Sequence, residues 1–433
     1  MQGKKTSMSF AIGFSVAFLF LTIAATLFAV TKEKVLYSFN DNGTDGYWPY
    51  AGLVSDAAGN LYGTTYRGGA FAGGTVFELT PSTDGTWTET VLYSFGSYNG
   101  DGFFPEAGLI FDAAGNLYGT TYVGGAYGMP EGYGTVFQLT PTLSGGWTET
   151  VLYSFGSYNG DGRFPQAGLI FDAAGNLYGT TPVGGATGGG TVFKLTPGAG
   201  GTWMETVLWS LSGHPQGGVT FDAAGNLYGT ATSGGLKGQG CDYSNYRLCG
   251  TVFELTPGTN GKWTKKDLHM FKAFDRKDGA NPLAGVIFDA AGNLYGTTVG
   301  GGTGCTTCGT VFELTPIAGG GWKEKVLHSF KDYDNDGYRP VAGVTLDAAG
   351  NLYGTTEAGG AYGVSPCGTV FELTPGTNGK WTGKQLHTFH YNSWDGYCPL
   401  AGVILDAAGN LYGTTYQGGH DFSRHGTVFE ITR

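Results

Sequence analysis

Charge is scarce in this chain. Over 433 residues Asp, Glu, Lys and Arg make up 13%, the net charge is −11 and no basic cluster occurs, which argues against a nucleic-acid-binding surface. Catalytic signatures are missing too: there is no G-x-S-x-G, no H-E-x-x-H and no phosphate-binding loop. Cysteine stops at six. The Cys305/Cys308 CxxC has no βαβ context for redox chemistry and no second close pair to complete a zinc site. Local disulfides are expected instead, joining Cys241 to Cys249, Cys305 to Cys308 and Cys367 to Cys398.

A long apolar run occurs only at the N-terminus. Lys4 and Lys5 precede an uncharged stretch from Met8 to Val30, and Lys32-Glu33-Lys34 follows. Residues 1–30 therefore read as an export signal or signal anchor, and both fates stay open because the run exceeds the usual ~7–15 residues. Either way the body lies outside the cytoplasm, secreted, periplasmic or at the cell surface. Residues 8–30 are its only expected contact with a membrane.

What the sequence has in abundance is glycine, 81 residues dispersed among aromatic and β-branched neighbours, which argues for order rather than disorder. The octapeptide DAAGNLYG recurs unchanged seven times, starting at Asp56, Asp112, Asp172, Asp222, Asp289, Asp347 and Asp406. Asp at the head of a turn accepts backbone N–H groups and the Gly supplies a left-handed residue, so each copy reads as a tight hairpin. Around it the order is fixed in every unit. An apolar strand a turns into strand b (Asn116–Thr121), a Gly-Gly loop leads to strand c (Gly134–Pro141), and a Gly-rich turn leads to strand d (Trp147–Phe155).

Seven four-stranded units predict an all-β, seven-bladed propeller, with blades at about 51–95, 107–155, 167–211, 216–271, 283–330, 341–389 and 400–433. The final unit ends on strand c, while residues 32–39 carry a lone strand d. Pairing the two would close the ring within one domain, 32–433, expected to be a monomer. Strand b ending in Tyr-x-Gly-Gly, then strand c, then a Trp opening strand d, is similar to the layout of kelch repeats. The words DAAGNLYGTT, GTVFELTP and W-T-x-x-V-L-Y-S-F more closely resemble the GloVer-type tandem repeats of bacterial exported proteins, over residues 34–433. That resemblance implies an extracytoplasmic repeat protein and brings no established activity or catalytic residues.

Function should sit on the face bearing the variable d-to-a and b-to-c loops. Six d-to-a loops share Asp-Gly-x-x-Pro and are crowded with aromatics. Tyr47, Trp48, Phe103, Phe104, Tyr338, Trp394 and Tyr397 are candidates for stacking on a surface glycan or meeting a protein, against the plainer reading of packing between blades. Blade four has the longest b-to-c loop, with Tyr243, Tyr246 and Arg247 inside the expected disulfide. Asp332, Asp334 and Asp336 match the opening of a calcium loop, but Gly343 stands where an EF-hand needs Glu, so a plain Asp-Gly turn competes with a calcium site. His269, His328 and His387 fall where other units have Tyr or Trp and, on separate blades, cannot share one metal. The leading expectation is a non-enzymatic binding propeller. Its rivals are a polysaccharide-acting enzyme with carboxylates at the channel, Glu106 among them, and a calcium-stiffened scaffold.

Overall fold

The computed structural model describes residues 31–128, 131–234, 249–272, 277–333, 336–360, 367–391, 394–419 and 424–433. Residues 31–433 form one compact unit. The chain is a seven-bladed β-propeller in which each blade is a four-stranded antiparallel sheet in the order a-b-c-d. In blade two these strands are Ile110–Phe111, Leu117–Thr121, Thr135–Pro141 and Trp147–Ser154. No α-helix occurs among the described residues. The last blade is completed by Lys32–Ser38, which pairs antiparallel with Thr427–Thr432, Lys32 opposite Thr432 and Ser38 opposite Thr427.

Strand a is shorter than its apolar run, two residues in each blade, because the Ala-Gly pair before it (Gly217-Gly218 in blade four) leaves the ladder to pack at the axis. An ideal Cβ on Gly108 would lie 3.4 Å from the Gly52 carbonyl oxygen, and one on Gly168 would lie 3.5 Å from that of Gly108. The series runs round the ring to Gly402 beside Gly343, and Gly52 then meets Gly402. A second ring lies just outside it. The strand-b hydroxyls of Thr64, Thr120, Thr180, Thr230, Thr297, Thr355 and Thr414 each donate to a carbonyl at the start of the next blade.

The core is divided among the blade interfaces. Phe39 of strand d meets Phe77 of the next blade edge-on at 5.1 Å, and Phe95 meets Phe137 at 5.0 Å. Trp87, opening a strand d, packs against Tyr412 of the preceding blade at 6.4 Å. Each strand d also carries a β-bulge. Val151 faces Phe137 and Tyr153 faces Val136, so Leu152 is the extra residue.

The repeated hairpin satisfies itself. Asp112 accepts Ala114 N and Asn116 N through Oδ1 (2.9 Å each), and Asn116 Nδ2 (2.7 Å) and the Tyr118 hydroxyl (3.0 Å) through Oδ2. Gly115 takes φ 85°. The Asp of each Asp-Gly loop is likewise an anchor. Asp101 is buried and accepts the Tyr93 hydroxyl at 3.0 Å and the N–H groups of Gly96 and Ser97 at 2.8 Å each. His269, His328 and His387 occupy the place of Tyr93 and face Asp278, Asp336 and Asp395 at 3.3, 2.9 and 3.1 Å.

The Cys305–Cys308 disulfide is present, and Cys249 is disulfide-bonded, with its expected partner Cys241 outside the described residues. The expected Cys367–Cys398 bridge is not formed, and both residues are thiols. They touch through the main chain, Cys398 N donating to Cys367 O at 2.8 Å. Burial pushes both thiols up, Cys398 to about 12.

Candidate functional site at the channel mouth

All seven d-to-a loops reach the axis through one strained residue. The residue before the loop proline is left-handed in every blade: Trp48 (φ 62°), Phe104 (61°), Phe164 (59°), His214 (53°), Asn281 (59°), Arg339 (60°) and Cys398 (56°). Non-glycine residues in this region cost on the order of 1–3 kcal/mol each and persist only where the surroundings over-determine them. In six blades two main-chain hydrogen bonds do so, while in blade three Pro182 lacks the N–H for the second and Phe164 N donates to Tyr133 O. Trp48 N donates to His425 O (2.8 Å) while its carbonyl accepts Tyr66 N (2.9 Å), and Phe104 is clamped alike by Gly73 O (2.7 Å) and Tyr122 N (3.0 Å). The clamp fixes the backbone and leaves the side chain free to differ between blades.

Two residues further on stand Tyr50, Glu106, Gln166, Gln216, Leu283, Val341 and Leu400, directly before the axial ring. The mouth is therefore lopsided: aromatic and polar on blades one to four, aliphatic on blades five to seven. A continuous arc of rings runs over blades seven, one and two. Trp48 tilts against Tyr416 (5.6 Å), Tyr416 meets Tyr50 edge-on (5.3 Å), Tyr50 meets Tyr66 (5.8 Å), and Tyr66 lies against Phe104 (5.0 Å). The Arg67 guanidinium caps Phe104 at 4.1 Å. Beyond it Tyr122 packs on Phe164 at 5.2 Å, and Arg163 lies over Tyr133 at 4.3 Å.

Glu106 sits within this arc. Burial raises its carboxyl above the ordinary range, while a 2.8 Å hydrogen bond from Gln166 Nε2 pulls the other way. Burial, and then the Glu106 charge, push the Tyr50 phenol up to about 12, and Tyr66 and Tyr122 are raised by the same two causes. Glu357, a second carboxylate felt by Tyr50, is paired with Arg339 Nε at 2.9 Å. The arrangement offers flat apolar faces around a few half-buried hydrogen-bonding groups.

The sequence candidates divide by register. In each Asp-Gly-x-x-Pro loop the second x is the left-handed position, so Trp48 and Phe104 belong to the mouth. The first x lies in a two-residue ribbon with the start of the b-to-c loop, Tyr47 opposite Arg67 and Phe103 opposite Val123. Those side chains pack inward: Tyr47 and Tyr338 join blade-interface clusters, Phe103 is half-buried, and Tyr397 is only 5% exposed. Trp394 is 57% exposed at the loop edge. Tyr243, Tyr246 and Arg247 lie outside the described residues, as does Asp334. Asp336 is taken up by His328, and Asp332 is exposed. Sequence reasoning passed over Tyr50, Tyr66, Tyr122, Tyr416, Arg67, Arg339 and Glu357. Aligning the repeats on the proline and on the end of strand b would have exposed all seven.

A family model for the Gloeobacter/Verrucomicrobia repeat matches residues 22–160, 127–245 and 242–433. No curated protein matches the sequence. Among solved structures, an ancestral GH74 enzyme superposes with a TM-score of 0.52 and 11% identity, over 92% of this chain and 50% of that one. The periplasmic gluconolactonase of Pseudomonas aeruginosa gives 0.48 and 15%, over 86% and 95%. A luciferin-regenerating enzyme gives 0.39 and 14%, over 93% and 95%. At such identities the likeness to the GH74 enzyme is one of fold alone.

Proposed function

The chain belongs to the Gloeobacter/Verrucomicrobia repeat family, and from that premise we propose that it is an exported, non-enzymatic propeller that binds a surface glycan at its channel mouth. The observation that carries this reading is the arc Trp48–Tyr416–Tyr50–Tyr66–Phe104, set on a strained and over-determined backbone around Glu106 and Gln166. Sugar rings present C–H faces that stack on aromatics and hydroxyls that need a few fixed polar partners, and this mouth offers both. The proposed site thus lies on blades seven, one and two, while the blade-four candidates Tyr243, Tyr246 and Arg247 lie outside the described residues.

The test is a glycan-array screen of the purified protein, run with calcium and with chelator. Binding is expected to fall at least tenfold in Trp48→Ala and in Tyr50→Ala, while Trp394→Ala at the loop edge leaves it unchanged. Undiminished binding in both mouth variants would remove the site from the mouth. A calcium requirement would bring Asp332 and its neighbours back as ligands.

One observation favours an enzyme acting on a polysaccharide. Glu106 is a partly buried carboxyl that burial raises above the ordinary range, beside three phenols, a setting in which a general acid can be tuned. The other carboxylate felt by Tyr50, Glu357, is committed to Arg339, whereas glycoside hydrolysis ordinarily employs two carboxyl groups. Release of shortened sugars from a bound glycan, abolished by Glu106→Gln, would establish catalysis.

A further inference from the structure

Outside the mouth, the blade interfaces share a socket whose three occupants differ from blade to blade. One occupant comes from strand d, one from the Asp-Gly loop that follows, and one from strand d of the next blade. Three sockets hold Tyr, Asp and Glu: Tyr37/Asp45/Glu89, Tyr93/Asp101/Glu149 and Tyr153/Asp161/Glu205. Between blades three and four the loop has no Asp and the Glu position is Lys265, beside a cavity of about 280 Å³ lined by Trp209, Ser212 and Lys265. Between blades five and six His328 and Asp336 face Gly383 across another cavity of about 280 Å³.

The two remaining sockets hold histidine, aspartate and glutamate. His269, Asp278 and Glu324 bring one ligand atom each within 4.8 Å of one another, and so do Glu33, His387 and Asp395. Replacing a phenol by an imidazole exchanges a hydroxyl for a nitrogen lone pair. The imidazole Nε2 atoms lie 3.3 and 3.1 Å from Asp278 and Asp395. Two ligands on one tetrahedral ion, with bonds of about 2.0–2.1 Å, stand roughly 3.4 Å apart. Glu33 Oε1 is buried from solvent and makes no hydrogen bond, and the same holds for the matching Oε1 atoms of Glu89, Glu149 and Glu205, so what sets this socket apart from the tyrosine ones is the imidazole nitrogen facing the two carboxylates. One imidazole nitrogen with two carboxylates suits a borderline ion of the zinc type, whereas calcium takes six to eight oxygens.

We propose that the His269–Asp278–Glu324 and Glu33–His387–Asp395 sockets each bind one divalent transition-metal ion of the zinc type. His387 belongs to blade six, Asp395 to the loop entering blade seven, and Glu33 to the N-terminal strand that completes blade seven. An ion in the second socket therefore staples the closing strand of the ring to the blade before it.

The experiment uses the full, untagged chain, stripped with chelator, dialysed against zinc and then assayed for bound metal by plasma mass spectrometry. Two zinc ions per chain are expected, one each in His269→Tyr and His387→Tyr, and none in the double variant. Tyrosine occupies the same place in three sister sockets, so these variants keep the fold, which circular dichroism checks. His328→Tyr should leave the count at two, and Gly383→Glu should raise it to three by completing the socket of His328 and Asp336. No zinc in the wild type, or wild-type zinc in the double tyrosine variant, would overturn the proposal. A count that stays at two in Gly383→Glu would overturn the three-ligand requirement.

Discussion

Carboxylates set the pH response of this molecule, and they pull in opposite directions. In the repeated hairpin, partial burial acts against ionisation, yet hydrogen bonds from Asn116, Tyr118 and Ala114 hold Asp112 below the ordinary carboxylate range. Asp172, Asp222, Asp289, Asp347 and Asp406 are held low in the same way. Their contribution is complete above the unfolded value and is lost as pH falls through the folded one. Glu89, Glu149 and Glu205 behave the other way. Burial, reinforced by Asp45, Asp101 and Asp161, raises each from 4.5 to about 7, with hydrogen bonds from Tyr98 and Tyr158 partly opposing it in the last two. Such groups bind protons more tightly in the folded state, so their contribution is present below pH 4.5 and lost as pH rises to about 7. Stability should therefore peak near pH 4.5 and decline towards pH 8. Glu149→Gln keeps an acceptor for the Tyr98 hydroxyl without the charge, and should stabilise the protein at pH 8 by about 1–2 kcal/mol after solvent screening. Urea melts at pH 4.5 and pH 8 check this, and a variant no more stable than wild type at pH 8 would refute the assignment to Glu149.

At the level of the strand, the bulge in strand d shows how much a repeat discloses about itself. The seven-fold order of strands, the hairpin Asp and Gly and the closing strand were all legible, because each depends on local turn chemistry repeated in register. The mouth was not. Position two of Asp-Gly-x-x-Pro and position one look equally aromatic in Tyr47-Trp48 and Phe103-Phe104, and only the left-handed backbone separates a buried packer from a mouth residue. The sockets were hidden for a related reason. Glu33 is distant from His387 and Asp395 in sequence, and the bulge decides that Tyr and His, but not Leu, turn towards the loop Asp. Leu152 is 8% exposed in the cluster between blades two and three. Leu152→Ala should cost about 2–4 kcal/mol as an ordinary core truncation. Deleting Leu152 leaves Val151 opposite Phe137 and Tyr153 opposite Val136 but removes the local bend and twist that the bulge gives strand d, which aims Tyr153 at Asp161 (2.8 Å), and should therefore cost distinctly more than the truncation. Equal chemical-denaturation midpoints for the two variants would mean that the bulge has no such role.

For the whole molecule, the decisive contact is the one that turns seven stacked blades into a ring. An open array would leave Thr427–Thr432 as a bare edge and an unmatched apolar face on blade one, where Leu36 and Phe39 pack against Leu53 and Phe77. Strand Lys32–Ser38 covers both at once. It also brings Tyr37 to Asp45 (2.9 Å) and Glu33 to its socket, so this one strand supports two blade interfaces. Removing residues 31–39 should therefore leave a chain that elutes as oligomers in size-exclusion chromatography and melts in a broad, less cooperative transition. A synthetic peptide of residues 31–40 added in trans should restore the monomer and a sharp melt, since the exposed edge of Thr427–Thr432 sets its register through Ser38 opposite Thr427 and Lys32 opposite Thr432. The same peptide with Phe39→Ala should bind more weakly, because it lacks the ring that meets Phe77 at 5.1 Å. A truncated chain that stays monomeric and melts as sharply as the intact one would show that the ring does not depend on this strand, and that inter-blade packing alone holds it.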